Sequence, residues 1–197
     1  EPLDPVRYLT NRSSGKMGYA LAGAAAHEGH RVTLISGPCA IEVPAGVDYL
    51  PVETAAEMYD AVSRYIGKSQ VAIFAAAVAD YRPVNVPTQK IKKTGDTLTL
   101  ELVRNPDILG SARDIFGYKG TLIGFAAETE NVEDNAREKL QRKGCDFVVA
   151  NDVSRSDIGF DSSENEVSLV YPHHSEALPK DDKYQLSLEI IKKALAV

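Results

Sequence analysis

A chain of 197 residues, 44% hydrophobic and 25% charged, has the make-up of one large domain and is long enough to bury a substantial core. Its formal net charge of −6 argues against general nucleic-acid binding, which needs a basic face, yet a local group of lysines could still hold a small anion. Two cysteines without a CxxC pair offer no zinc set and read as reduced thiols of a cytoplasmic protein, and no apolar run approaches the ~20 residues that span a bilayer.

The chain opens on a polar segment that runs into "NRSSGKMG" (11–18), which looks like a phosphate loop. A Walker motif fails here twice, because Thr10 stands where a glycine is needed and Met17 where a Ser or Thr is needed. The stretch still supplies glycine and hydroxyls at the start of a helix predicted over 16–28, so backbone N–H groups around Ser14 and Gly15 could approach a phosphate. A serine-rich helix start without a ligand has the same composition.

After Gly29, "RVTLIS" (31–36) reads as a short buried strand stopped by Gly37-Pro38. A helix over 54–66 begins on a capping box, with Thr54 as cap and Glu57 three residues on. The unbroken apolar runs 71–79, 121–127 and 145–150 read as strands covered on both faces, with the charged helix 132–144 between the last two. This order predicts an α/β fold: a doubly wound, mainly parallel, Rossmann-like sheet whose ligands sit beyond the carboxyl ends of its strands. Residues 82–97, with the alternating strand "LTLELV" (98–103), read as a protruding arm and loop, and 151–166 as a polar loop before a strand at 167–171. No GxGxxG follows a strand, which argues against a dinucleotide dehydrogenase.

The strand ends are polar. Asp80, Glu128 and Asp152 each follow an apolar run and are expected to converge on one crevice, although each also suits a turn or a helix cap. Lys90, Lys92 and Lys93 lie in a loop, and Lys139 and Lys143 share a helix face at i,i+4 spacing, where a triphosphate or solvent would meet them. The runner-up to an enzyme is a nucleotide-sensing α/β binding module without turnover.

Taken together, "DPVRYLTNRSSGKMGYALA", "AAAVADYRP", "KIKK", "NPDI", "GFAAET" and "ANDVS", in this order and at these intervals, resemble bacterial phosphopantothenoylcysteine synthetase. That activity usually forms the C-terminal half of a bifunctional coenzyme A biosynthesis flavoprotein, and the resemblance covers essentially the whole chain. It implies a two-step ligation: the carboxylate of 4′-phosphopantothenate attacks the α-phosphate of CTP to give an acyl-cytidylate and pyrophosphate, and the amine of L-cysteine then displaces CMP. It also implies Mg2+ with the nucleotide, no flavin in this domain, a homodimer formed through the 82–106 arm, and a decarboxylase domain as partner where the protein is bifunctional. The family normally has a strand and a Gly-rich turn of the type "ITAGGTR" ahead of "EPLDPVR". With the sequence beginning at Glu1, the expectation is a sheet short of that strand, with backbone groups left unsatisfied.

By the same resemblance, Asn11 matches the asparagine that handles the acyl-cytidylate, and Lys90 the mobile-loop lysine of the activation step. Asp80, Asn105, Pro106, Asp107, Ile108, Phe125, Lys139 and Lys143 match positions attributed to CTP, to which the Ser14–Gly15 turn is added. Ala76 and Ala77 match small residues beside the intermediate. No metal ligand is assigned.

Overall fold

The computed structural model describes residues 1–93, 95–154 and 162–197; the part of the polar loop at 155–161 lies outside the described residues. In chain order the elements are α1 (Lys16–His27), β1 (Val32–Ser36), β2 (Val47–Pro51), α2 (Ala55–Tyr65), β3 (Val71–Phe74), β4 (Tyr81–Pro83) and β5 (Leu102–Arg104). They continue with α3 (Ile108–Asp114), β6 (Thr121–Glu128), α4 (Val132–Lys143), β7 (Phe147–Asp152), β8 (Glu164–Val170), β9 (Ser175–Asp182) and α5 (Lys183–Ala196).

Five strands form the main sheet in the order β3-β6-β7-β8-β9. The β3-β6-β7 part is parallel, whereas β8 and β9 add an antiparallel edge. Strands β1 and β2 form a separate parallel pair. Among the described residues no ladder joins β1 to β3, so each presents one edge without a strand partner. All four residues of β3 are apolar but only half-buried, in contrast to Leu122 and Ile123 of β6, which are fully buried.

Period-two alternation explains why the central strands read as continuous apolar runs. Ile123, Phe147 and Val149 point into a core shared with Leu21 and Ala24 of α1 and Leu186 and Ile190 of α5. Their neighbours Leu122, Val148 and Ala150 point the other way, toward Leu109 and Ala112 of α3 and Ala136 and Leu140 of α4. Each face thus carries its own helical layer. Removing a side chain as enclosed as Phe147 to Ala costs about 3–5 kcal/mol, through lost transfer energy and the cavity left behind.

Local signals place the helices. Thr54 Oγ1 accepts the Glu57 amide at 3.1 Å while the Glu57 carboxylate accepts the Thr54 amide, so the predicted capping box closes on α2. Gly29 and Gly144, with φ of 85° and 64°, follow α1 and α4 in the left-handed region that an L side chain disfavours.

Two predicted strands are shorter than the sequence suggests. The run 71–79 is a strand only over Val71–Phe74, because the ladder to β6 ends at the Phe74–Gly124 pair. Beyond that point the carbonyls of Val78 and Ala79 accept side-chain amides instead. In the arm, only Leu102–Arg104 pairs, with Tyr81–Pro83, so the strand expected over 98–103 is corrected to this short ladder. One further backbone bond, from the Val84 amide to Glu101 O at 3.0 Å, follows the Pro83–Leu102 pair.

Candidate functional site

The carboxyl ends of β3, β6 and β7 and the first turns of α1 and α3 gather most of the predicted residues. In "NRSSGKMG", Gly15 takes φ 76° at the start of α1. A Cβ at Gly15 would also stand 2.9 Å from the sulfur of Cys39, so glycine is required both by backbone conformation and by space. The Gly15 and Lys16 amides reach the hydroxyls of Ser13 and Ser14 only through long bonds of 3.3 and 3.4 Å. Asn11 is exposed, and its Nδ2 donates to the carbonyl of Val78 at 3.1 Å, tying the turn to the segment that holds Ala76 and Ala77.

Asn105 is the hub of the next layer. It is buried, and both of its amide hydrogens are engaged: Nδ2 donates to Ala79 O at 2.9 Å and to the Glu1 carboxylate at 3.1 Å. Its Oδ1 accepts from Arg82 at 3.0 Å, and its backbone N–H donates to Asp80 O at 2.8 Å. The Glu1 carboxylate also accepts the Ala55 amide in the first turn of α2. Asn105 therefore acts as a strut between the end of the 75–80 segment and the arm. The Asp80 side chain stays exposed.

Asp107 caps α3 by accepting the Gly110 amide at 2.9 Å, and it pairs with Lys143 on α4. Burial pushes the Asp107 carboxyl up, but Lys143 and the Gly110 amide outweigh it and hold the group below the usual carboxylate range. Ile108 is buried and Pro106 half-buried beside it. One turn back on α4, Lys139 Nζ donates to Phe125 O at 2.6 Å. Burial pushes the Lys139 ammonium below the ordinary lysine range, with the Glu128 carboxylate acting in the opposite sense. The Phe125 ring packs against the α1/α5 core, so its carbonyl rather than its ring faces Lys139. Beneath this pair lies Cys145, whose thiol burial pushes up to about 11, leaving it neutral.

Glu128 and Asp152 are register partners at the ends of β6 and β7. Glu128 accepts from Asn135 at 3.1 Å, and Asp152 accepts both the amide and the hydroxyl of Ser154. Lys90 is exposed in the arm loop and makes no ion pair among the described residues. Its neighbour Ile91 is held by Asp4 and Arg7, residues that sequence reasoning passed over. Arg82, Glu1, Asp4 and Arg7 lacked a legible signal because their partners lie far along the chain; only the i,i+3 spacing of Asp4 and Arg7 hinted at a pair.

The arrangement offers a neutral amide (Asn11) above small residues, two lysines on one helix face, and an exposed cation on a loop. Such a set suits a polyanion beside an uncharged acyl group. Among the described residues no group of three or more His, Cys, Asp or Glu side chains could hold a metal, so an Mg2+ here would draw most of its oxygens from a bound polyphosphate and water.

Residues 1–197 match the family model described as the DNA/pantothenate metabolism flavoprotein C-terminal domain. The coenzyme A biosynthesis bifunctional protein CoaBC of Vibrio vulnificus (strain YJ016) is 48% identical over 195 residues, which is 98% of this chain and 49% of that protein. The chain thus spans about half the length of the curated relatives it matches. The crystal structure of the C-terminal domain of a CoaBC protein is 39% identical, with a TM-score of 0.83, covering 100% of this chain and 89% of that one. A Cab2 mutant in complex with phosphopantothenate-cysteine shares the fold, with a TM-score of 0.76 at 17% identity over 99% of this chain and 82% of that one.

Proposed function

The chain belongs to the DNA/pantothenate metabolism flavoprotein C-terminal domain family, and we propose that it is the ligase that joins 4′-phosphopantothenate to L-cysteine in coenzyme A biosynthesis, with CTP as the activating nucleotide. The observation that carries this reading is the meeting of Asn11, the 75–80 segment and the Lys139–Lys143 face around the strut from Asn105 to Asp107. It sets small side chains and a neutral amide, suited to an acyl group, beside cations suited to a polyphosphate.

In the first step, a carboxylate oxygen of 4′-phosphopantothenate attacks the α-phosphorus of CTP. The bond to the bridging oxygen breaks, and pyrophosphate leaves with that electron pair. Lys139 and Lys143 hold the phosphates, and Lys90 neutralises charge that grows on the transferring and departing groups. Lys143 must exchange its bond to Asp107 for one to phosphate, so Asp107 parks the cation until the nucleotide arrives. In the second step, the cysteine amine attacks the acyl carbon and CMP leaves. Asn11 holds the intermediate through a neutral amide, which donates to an acyl or phosphate oxygen without repelling it.

The enzyme acts in the cytoplasm, fused to or alongside a decarboxylase. The arm favours a homodimer: Tyr81, Val84, Val86, Leu98, Leu100 and Leu102 are each 37–57% exposed, more apolar surface than a lone arm tolerates well.

The test is pyrophosphate release measured with CTP, with and without 4′-phosphopantothenate, before cysteine is added. Release should require both substrates, and CMP should appear when cysteine follows. Nucleotide binding without turnover would favour the sensing module instead. Equal specificity constants for ATP and CTP would remove the cytidine assignment, because a site hydrogen-bonded to cytosine leaves polar groups unpaired against adenine.

A further inference from the structure

Asp4 is almost fully buried, although it sits in an irregular segment. Its Oδ1 accepts the Val6 and Arg7 amides, both at 2.9 Å, and its Oδ2 accepts from Arg7 Nε at 3.0 Å and from the Arg7 terminal nitrogen. That leaves room for one more donor on Oδ2, and the donor is the Ile91 amide at 3.1 Å, 87 residues away in sequence. Arg7 completes the grip by donating to the Ile91 carbonyl at 3.2 Å. Both polar groups of the Ile91 residue are thus taken by one ion pair, whose carboxylate is buried and whose guanidinium is exposed. Among the described residues of 85–100, Ile91 alone is hydrogen-bonded to the body of the protein.

We propose that Asp4 is a positioning residue: with Arg7 it clasps the backbone at Ile91 and so fixes where the adjacent Lys90 is presented. This rests on the reading of Lys90 as the cation of the activation step. A long arm loop without internal ladder bonds samples many conformations, and an exposed lysine on it would reach the phosphates only in a fraction of them. Pinning one residue beside Lys90 cuts that search while leaving the ammonium free to swing. The guanidinium of Arg7 holds the Asp4 carboxyl well below the usual carboxylate range despite burial, with the Val6, Ile91 and Arg7 amides adding to it. The clasp therefore stays charged and closed throughout the neutral range.

Asp4→Asn keeps the shape and an acceptor for the local turn, but loses the ion pair and turns a donor toward Ile91 or Arg7. Hydrogen exchange of the Ile91 amide and tryptic cleavage after Lys90 should both rise about tenfold, with a comparable fall in kcat for phosphopantothenate-dependent pyrophosphate release. Arg7→Lys, which keeps a cation on Asp4 but cannot span to the Ile91 carbonyl as well, should fall between the two and serves if Asp4→Asn folds poorly. In the Lys90→Gln background, Asp4→Asn should cost no further activity. Unchanged exchange and cleavage in both variants overturns the clasp. An equal loss of activity with and without the Lys90→Gln change overturns the positioning role. Should Lys90→Gln alone release pyrophosphate at the wild-type rate, the reading of Lys90 fails and the positioning role with it, while the exchange data still judge the clasp.

Discussion

Replacing Asn105 with Asp tests whether that residue is a strut or a ligand of the nucleotide. The change is nearly isosteric, but it puts an acceptor where Nδ2 now donates to Ala79 O at 2.9 Å and to the Glu1 carboxylate at 3.1 Å. Two carboxylates at that separation repel by about 5 kcal/mol at an effective dielectric of ~20. Arg82, 3.0 Å from Oδ1, returns a similar amount, so the two charge contributions nearly cancel. What remains is the loss of two donors from a buried position, at about 1–3 kcal/mol for each acceptor left unpaired, less what relaxation recovers. The expected destabilisation is about 2–4 kcal/mol at about pH 7, read from urea unfolding midpoints. With Glu1 and Arg82 offsetting each other, burial and the acceptor Ala79 O favour the protonated form of the introduced carboxyl, which raises its folded pKa above the unfolded value. Its stability contribution is then fully present below the unfolded pKa and lost as pH rises through the folded one, so the deficit must shrink on acidification. A loss under about 0.5 kcal/mol, with no pH dependence, would refute the strut, because one of these bonds alone is worth more.

Gly15→Ala should cost roughly 1–2 kcal/mol for an L side chain in the left-handed region, plus the relief of the contact with Cys39; Cys39→Ala in the same chain should recover only the second part. Lys139→Met removes a half-buried cation and its bond to Phe125 O, so stability at about pH 7 should change by no more than about 1 kcal/mol while CTP affinity falls. The folded pKa of Lys139 lies below its unfolded value, so the wild type should gain stability relative to Lys139→Met as pH rises toward the ordinary lysine range, and parallel curves would contradict this. Asn11→Asp should still form acyl-cytidylate but pass it to product slowly with cysteine; rapid-quench counting of intermediate and CMP at wild-type ratios would reduce Asn11 to a residue of the helix approach. Sedimentation should show a dimer at micromolar concentration that Leu98→Asp and Leu102→Asp dissociate, whereas an active monomer would remove the arm's role.

Where a signal is local, the sequence by itself determined the outcome. The Thr54–Glu57 box, the glycine after α1 and the period-two runs of β6 and β7 each rest on contacts within a few residues or on a two-sided burial written into every position. The i,i+4 spacing of Lys139 and Lys143 likewise fixed that both share a helix face. Tertiary structure alone decided what those lysines meet: Phe125 O for one, Asp107 for the other. It also decided that the apolar run 71–79 leaves its ladder after Phe74, since strand length depends on a partner's register as well as on hydrophobicity. The Asn105 strut and the hold of Asp4 and Arg7 on Ile91 were silent in the sequence. Each joins residues far apart in the chain, and a hydrogen bond between such residues leaves no periodicity or spacing by which either partner could announce the other.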